Sequence, residues 1–187
     1  MELSPVKREI LEAVFLHSKP VRAIQVAKEL GKEFPSVMMH LIGLIRIGYI
    51  QSPEKGHYTV TGEGKKALGI PQIDKESAQA ILMPASRDKM FHFYLGIGEP
   101  INLHAQGLLD FCEKIATANV NSIEFHINRG DFEAWLRGIG DFELAKKAQL
   151  LKYKNLSGEE LRSRLTELAK TRCAELVKAV EQNNQPK

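Results

Sequence analysis

The first seventy residues run through three helix-length apolar periods, each closed by proline or glycine, and then switch to a short hairpin signal. Few folds accept that order. Ser4 can cap a helix with Pro5 in its first turn, with Val6, Ile10, Leu11, Val14 and Phe15 on one face and a stop near Ser18-Lys19-Pro20. In RAIQVAKELGK, residues 22–32, Ile24, Ala27 and Leu30 share a face and Gly31 is a natural C-terminal stop. PSVMMHLIGLIRIG, residues 35–48, reads as a third helix opened by proline and closed by Gly48. YIQSPEKGHYTV then predicts two short strands about a turn at Pro53 to Gly56, after which Thr61 caps a short helix in GEGKKAL.

Helix, helix, helix, hairpin and exit helix is the order of a winged helix-turn-helix, and the residues resemble that family of transcriptional regulators. SVMMHLIGLIRIGYI is similar to the recognition helix and following strand of bacterial and archaeal members, and TGEGKKAL to their exit helix. The resemblance covers about residues 4–69. It implies double-stranded DNA as partner, with the third helix in the major groove, although winged helices also serve as protein-interaction modules.

The register of that helix places Val37, Leu41, Leu44 and Gly48 inward, with Met38, Met39, Ile42, Gly43 and Arg46 outward. Family members usually carry Arg, Ser, Gln or Lys where Met38 and Met39 stand here. Three accounts of the apolar outer face remain open. In the first the helix meets DNA: Ser36 and Arg46 supply polar contacts, Met38 and Met39 touch thymine methyls, and Arg22, Lys32 and Lys55 hold phosphates. In the second, Met38, Met39 and Ile42 form an adaptable patch for a protein partner or a second copy of the chain. In the third the chain's own C-terminal half covers them. His57 in the wing reads as a phosphate or sugar contact or as a solvated hairpin residue, and Lys65 and Lys66 as further phosphate neutralisers or an ordinary solvated face. Residues 1–70 hold ten Lys+Arg against seven Asp+Glu, which accounts for the whole +3 charge of the chain and permits an anionic partner without demanding one.

The segment GIPQIDKESAQAILMPASRD interrupts the periodicity with Gly69, Pro71 and Pro84, which predicts a domain over residues 1–70, a linker over 71–88 and a second domain over 89–187. Only QNNQPK at 182–187 reads as a frayed tail. In the second domain MFHFYLGIG fits a buried strand or an extended arm, and Asn102 is expected to cap a helix carrying Leu108, Leu109, Phe111, Cys112 and Ile115. SIEFHIN reads as helix. Gly130-Asp131 and Gly140-Asp141 each pair a helix stop with a helix cap, and Arg129 with Asp131 suits an ion pair locking the first corner. Phe132 and Trp135 read as core. From a capping box at Ser157 to Glu160 a long helix aligns Leu161, Leu165, Leu168, Leu176 and Val180, with Arg162, Arg164, Lys170, Arg172 and Lys178 interleaved among glutamates on a face read as solvated. FHFYLGIG, SIEFH, RGDFEAWL and GDFELA together resemble a domain family of unknown function found in archaea and bacteria, over about residues 90–150.

No chemistry-bearing constellation emerges. His92, His104 and His126 with Glu124 and Asp131 supply ligand types but no HExxH, paired CxxC or two-His-plus-carboxylate spacing, and Gly96-Ile97-Gly98 belongs to no larger phosphate-binding motif. The expectation is therefore no enzyme activity, no catalytic residues, no metal and no cofactor. Cys112 and Cys173 read as reduced, packed thiols. The N-terminus lacks a signal-peptide pattern and no apolar run reaches the roughly eighteen residues of a membrane span. The sequence as a whole predicts a mainly α, cytoplasmic protein, a winged helix-turn-helix followed by a helical C-terminal domain, homodimeric through the helix at residues 158–180.

Overall fold

The computed structural model describes residues 3–181; the tail at 182–187 lies outside them. The chain is mainly helical with two small antiparallel sheets, and it divides into two compact units between Gln72 and Ile73. Among the described residues no helix is long and apolar enough to cross a membrane.

In the first unit, α1 (Pro5–Phe15) starts at Ser4, whose Oγ accepts the Lys7 N–H at 3.4 Å, and buries Ile10, Leu11, Ala13, Val14 and Phe15. Strand β1 (Val21–Arg22) leads directly into α2 (Ala23–Leu30), which ends at Gly31 in the left-handed conformation, φ 59°. The core face of α2 is Ala23, Val26 and Ala27, and Ile24 is 52% exposed, which corrects the expected face. The cause is β1. Its pairing with β3, Val21 opposite Tyr58, fixes how the chain enters the helix and turns Ala23 inward.

Helix α3 (Phe34–Arg46) inserts Val37, Leu41 and Leu44, all fully buried, each contributing roughly 2 kcal/mol of apolar burial. Strands β2 (Ile50–Glu54) and β3 (His57–Val60) form the hairpin, in a sheet ordered β1-β3-β2. Thr61 donates its hydroxyl to the Gly48 carbonyl at 2.6 Å and accepts the Gly64 N–H at 3.1 Å, which starts α4 (Gly62–Ala67). Only glycine fits at position 64, because a Cβ there would lie 2.2 Å from the Tyr49 carbonyl oxygen.

The second unit begins inside the expected linker. Asp74 accepts the Ser77 N–H at 2.8 Å and opens α5 (Lys75–Leu82), which buries Ala78 and Ile81 and packs on the C-terminal helix. Residues 75–82 are therefore part of the fold: apolar residues three apart behind a capping aspartate outweigh the prolines on either side. Strands β4 (Phe91–Gly96) and β5 (Glu99–Ala105) form a hairpin that places Phe91 opposite Ala105 and His92 opposite His104. Asn102 lies within β5 and caps no helix, since the turn through Gly98 (φ 76°) carries the chain back along β4. The second unit is thus helical with a hairpin added.

Helix α6 (Leu108–Thr117) buries Leu108, Phe111, Cys112 and Ile115 and leaves Leu109 exposed. Helices α7 (Val120–Arg129), α8 (Asp131–Gly138) and α9 (Phe142–Leu151) follow, with corners at Gly130 (φ 79°) and Gly140 (φ 92°). Asp141 caps α9 through the Leu144 N–H at 3.1 Å. Helix α10 (Gly158–Glu181) buries Leu161, Leu165, Leu168 and Leu176 against α5, α6, α7 and α9 of the same unit. Its apolar stripe is therefore occupied within the chain. The outer face carries ion pairs such as Arg162–Glu159 and Arg164–Glu167, both at 2.6 Å, and leaves Val177 exposed towards its C-terminal end.

Arg172 departs from the solvated reading of the α10 charges. It is buried and donates Nε to both carboxylate oxygens of Asp141 at 3.0 and 3.1 Å and Nη1 to Glu143 at 3.0 Å, while Lys147 reaches Glu143 at 3.2 Å. Its charge is balanced by carboxylates about thirty positions upstream in sequence.

Candidate nucleic-acid interface

Four of the eight sequence-predicted contact residues line one cleft of the first unit. Arg22 stands where β1 meets α2, Lys55 and His57 flank Gly56 at the hairpin tip, and Met38 sits on the first turns of α3; with Ile24 and Phe34 they border a space of about 480 Å³. Gly56 takes φ 78°, which lets the hairpin reverse in two residues and project Lys55. Arg22 and Lys55 are exposed. The His57 Nδ1 lies 3.4 Å from the Lys55 carbonyl and 3.5 Å from the Glu54 carboxylate, so this imidazole already has an anionic neighbour on the same hairpin.

The other four lie outside the cleft. Lys32 pairs with Glu9 of α1 at 3.1 Å, which ties its ammonium to the body of the unit. Ser36 is half-buried on α3, and Met39 and Arg46 are exposed further along it. The two methionines, expected to be equivalent, are not. Met39 is 63% exposed, whereas Met38 is half-buried with its sulfur 3.9 Å from the Tyr58 hydroxyl of β3. Gly43 is also partly covered, by the Lys7 side chain of α1. What remains outward is an apolar group of Ile24, Phe34, Met39 and Ile42, each more than two-fifths exposed, beside the cations of the cleft.

The histidines of the second unit occupy two environments. His92 and His104 face each other across β4 and β5 with ring centroids 5.9 Å apart. His126 is buried among Phe91, Phe93 and Phe132 and has both ring nitrogens engaged: Nε2 accepts the Tyr94 N–H at 2.8 Å, and Nδ1 bonds the Asp131 carboxylate at 2.8 Å. A backbone N–H can only donate, so Nε2 is unprotonated and Nδ1 carries the hydrogen. Burial, the largest influence, pushes this imidazole below its ordinary pKa, while Asp131 pulls the other way. Asp131 also accepts Arg129 Nε at 3.1 Å, the predicted corner ion pair, and is thereby drawn away from capping α8.

An open cavity of about 320 Å³ lies beside this corner, bordered by His92, Tyr94, Phe125, Arg129 and Asp131. Among the described residues, no group of three or more His, Cys, Asp or Glu is placed to hold a metal ion. Trp135 is half-buried rather than core. Its indole packs on Phe111 and Phe91 at 5.1 and 5.6 Å and donates to the Lys89 carbonyl at 2.8 Å, which keeps one edge at the surface. Comparisons with protein-family models, with curated proteins and with solved structures give no match to this chain.

Proposed function

We propose that the chain is a cytoplasmic DNA-binding transcriptional regulator without a reaction of its own, whose first unit is a winged helix-turn-helix. The observation that carries this reading is the cleft that brings Arg22, Lys55 and His57 to the first turns of α3. Cations at a hairpin tip and at a strand-to-helix junction flank the helix as phosphate contacts would flank a helix lying in the major groove. Arg46 extends the positive surface along α3. The contacts are chiefly electrostatic, since Met39 and Ile42 offer bases only apolar contact. Affinity for any one site is therefore modest and strongly salt-dependent.

A second copy of the chain would add avidity. Pairing through α10 would use its outer face, since the side carrying Leu161, Leu165, Leu168 and Leu176 is packed within the chain.

The exposure of Ile24, Phe34, Met39 and Ile42 favours a second reading, an adaptor whose apolar face docks a protein partner. An electrophoretic shift on random and genomic duplexes across a salt series separates the two. A shift at low salt that fades steeply as salt rises supports the regulator. No shift on any duplex at low salt overturns it and leaves the adaptor.

A further inference from the structure

We propose that Cys112 and Cys173 are a redox-reversible pair that a hydroperoxide converts to an intramolecular disulfide, clamping α10 onto α6. The two residues are 61 positions apart in sequence, yet their sulfurs meet at 2.6 Å between helices that pack on each other. Cys112 lies on the buried face of α6 with Phe111 and Ile115, and Cys173 on the buried face of α10 beside Arg172. Both are less than a tenth exposed, so the oxidant must be as small as hydrogen peroxide and the two sulfurs are held against each other rather than against solvent.

The pair is chemically unequal. Hydrogen bonding from Cys112 stabilises a thiolate at Cys173 and holds that thiol below its ordinary pKa, while the same interaction pushes Cys112 up. Within this proposal Cys173 is the attacking sulfur, because the neighbouring Arg172 cation favours a thiolate there. Its thiolate attacks one peroxide oxygen, the O–O bond breaks, and the hydroxide released takes the Cys112 proton to become water. Cys173 is now a sulfenic acid. The Cys112 thiolate attacks the Cys173 sulfur, the S–O bond breaks, and the second hydroxide leaves as water with the proton that Cys173 first gave up. Two thiols and one peroxide yield one disulfide and two waters; both sulfurs are oxidised and both peroxide oxygens reduced. A thiol reverses the bond by exchange once opening of the second unit exposes it.

The cross-link closes a loop that contains α7, α8 and α9, so it restrains most of the second unit. A buried pair with its partner already in contact condenses faster than either sulfur can oxidise further, which distinguishes it from two unrelated core cysteines.

The test uses the full chain, reduced and then exposed under native conditions to a slight excess of hydrogen peroxide, followed by denaturation, alkylation and mass spectrometry. The expected product is lighter by two hydrogen atoms, takes up no alkylating reagent, and yields a single cross-linked peptide joining Cys112 to Cys173, with both thiols recovered after dithiothreitol. Two alkylatable cysteines after treatment overturn the proposal. So does a sulfinic or sulfonic acid at either position, or a disulfide between two chains. As a second readout, Cys112→Ser removes the resolving sulfur, and Cys173 then accumulates a sulfenic acid that dimedone captures. The wild-type chain decides the matter even where this variant fails to fold.

Discussion

Tyr94 donates its backbone N–H to Nε2 of His126 at 2.8 Å, and this one bond ties strand β4 to helix α7 through a ring that must stay neutral to accept it. Protonation would give the ring its second hydrogen, on Nε2, opposite a group that can only donate. The folded state therefore holds the His126 pKa below the value of the unfolded chain, with burial as the main cause. The sign follows from proton counting: as pH falls through the ordinary histidine range, near about 6.5, the unfolded chain takes up a proton that the folded chain refuses, and stability is lost. It is fully present above that range. Denaturant unfolding from pH 7.5 down to about pH 5 should show this decline, and His126→Phe, which keeps an aromatic ring among Phe91, Phe93 and Phe132, should flatten it while costing about 2 kcal/mol at neutral pH through the unpaired Tyr94 N–H. An unchanged pH slope in the variant rejects the assignment.

Arg172 sits between Asp141 and Glu143 in the interior of the second unit. Arg172→Met removes the cation, keeps much of the stem's bulk and leaves the buried Asp141 uncompensated, while Glu143 retains Lys147, so a loss of about 3 kcal/mol is expected. Adding Asp141→Asn should return part of it, because asparagine can still cap α9 and brings no charge. Chemical denaturation of the single and double variants checks both; a double variant less stable than Arg172→Met alone contradicts the argument.

Gly64 and Gly62 offer a contrast within one short helix. A methyl at position 64 meets the Tyr49 carbonyl oxygen at 2.2 Å and Val60 Cγ1 at 2.7 Å, so the helix or the strand beside it must move. Gly64→Ala should cost about 3 kcal/mol or more. At position 62 the same methyl has only the Gln72 amide at 3.4 Å as a neighbour, and Gly62→Ala should be neutral or stabilising by up to about 1 kcal/mol. Thermal unfolding of the two variants measures the difference, and equal melting temperatures would refute it.

What the sequence made legible is what short-range physics determines. The left-handed glycines at positions 130 and 140 announce two helix corners because an L side chain is strained there, and the Leu161, Leu165, Leu168 spacing announces the buried side of α10. What it hid depends on partners distant along the chain. Asn102 has the local chemistry of a helix cap, but the pairing of β5 with β4 decides its conformation. Ile24 faces out because Val21 pairs with Tyr58. Arg172 looks like any other surface cation of α10 until α9 delivers its carboxylates. In the candidate site, Arg22, Met38, Lys55 and His57 gather at one cleft although three elements supply them, while Lys32 is diverted by Glu9 on a different helix. The meeting of Cys112 with Cys173 had no sequence signal beyond the count of two.

The cleft cations carry a quantitative expectation for the proposed DNA binding. Removing one cation that neutralises a phosphate reduces the slope of log binding constant against log salt by about 0.9 on duplex DNA. Arg22→Ala and Lys55→Ala should each lower the slope by about that amount, additively. Lys32→Ala should lower it less, because Lys32 is already paired with Glu9. Fluorescence anisotropy across a salt series provides the slopes, and a Lys32 effect equal to the other two would remove the distinction between cleft and periphery.

The two methionines of α3 separate the surface readings. Met39 is 63% exposed, so Met39→Ser should change stability by less than about 0.5 kcal/mol. Met38 packs its sulfur near the Tyr58 hydroxyl and is half-buried, so Met38→Ser should cost more, about 1 to 2 kcal/mol. On DNA, Met39→Ser should leave the salt slope untouched, since a serine neither adds nor removes a cation, and should alter only the small apolar share of affinity. If Met39 instead belongs to a protein-docking face with Ile42 and Phe34, the substitution should abolish partner binding while any weak DNA association persists. Unfolding, anisotropy and co-purification of the variant, taken together, assign the apolar face to one role or the other.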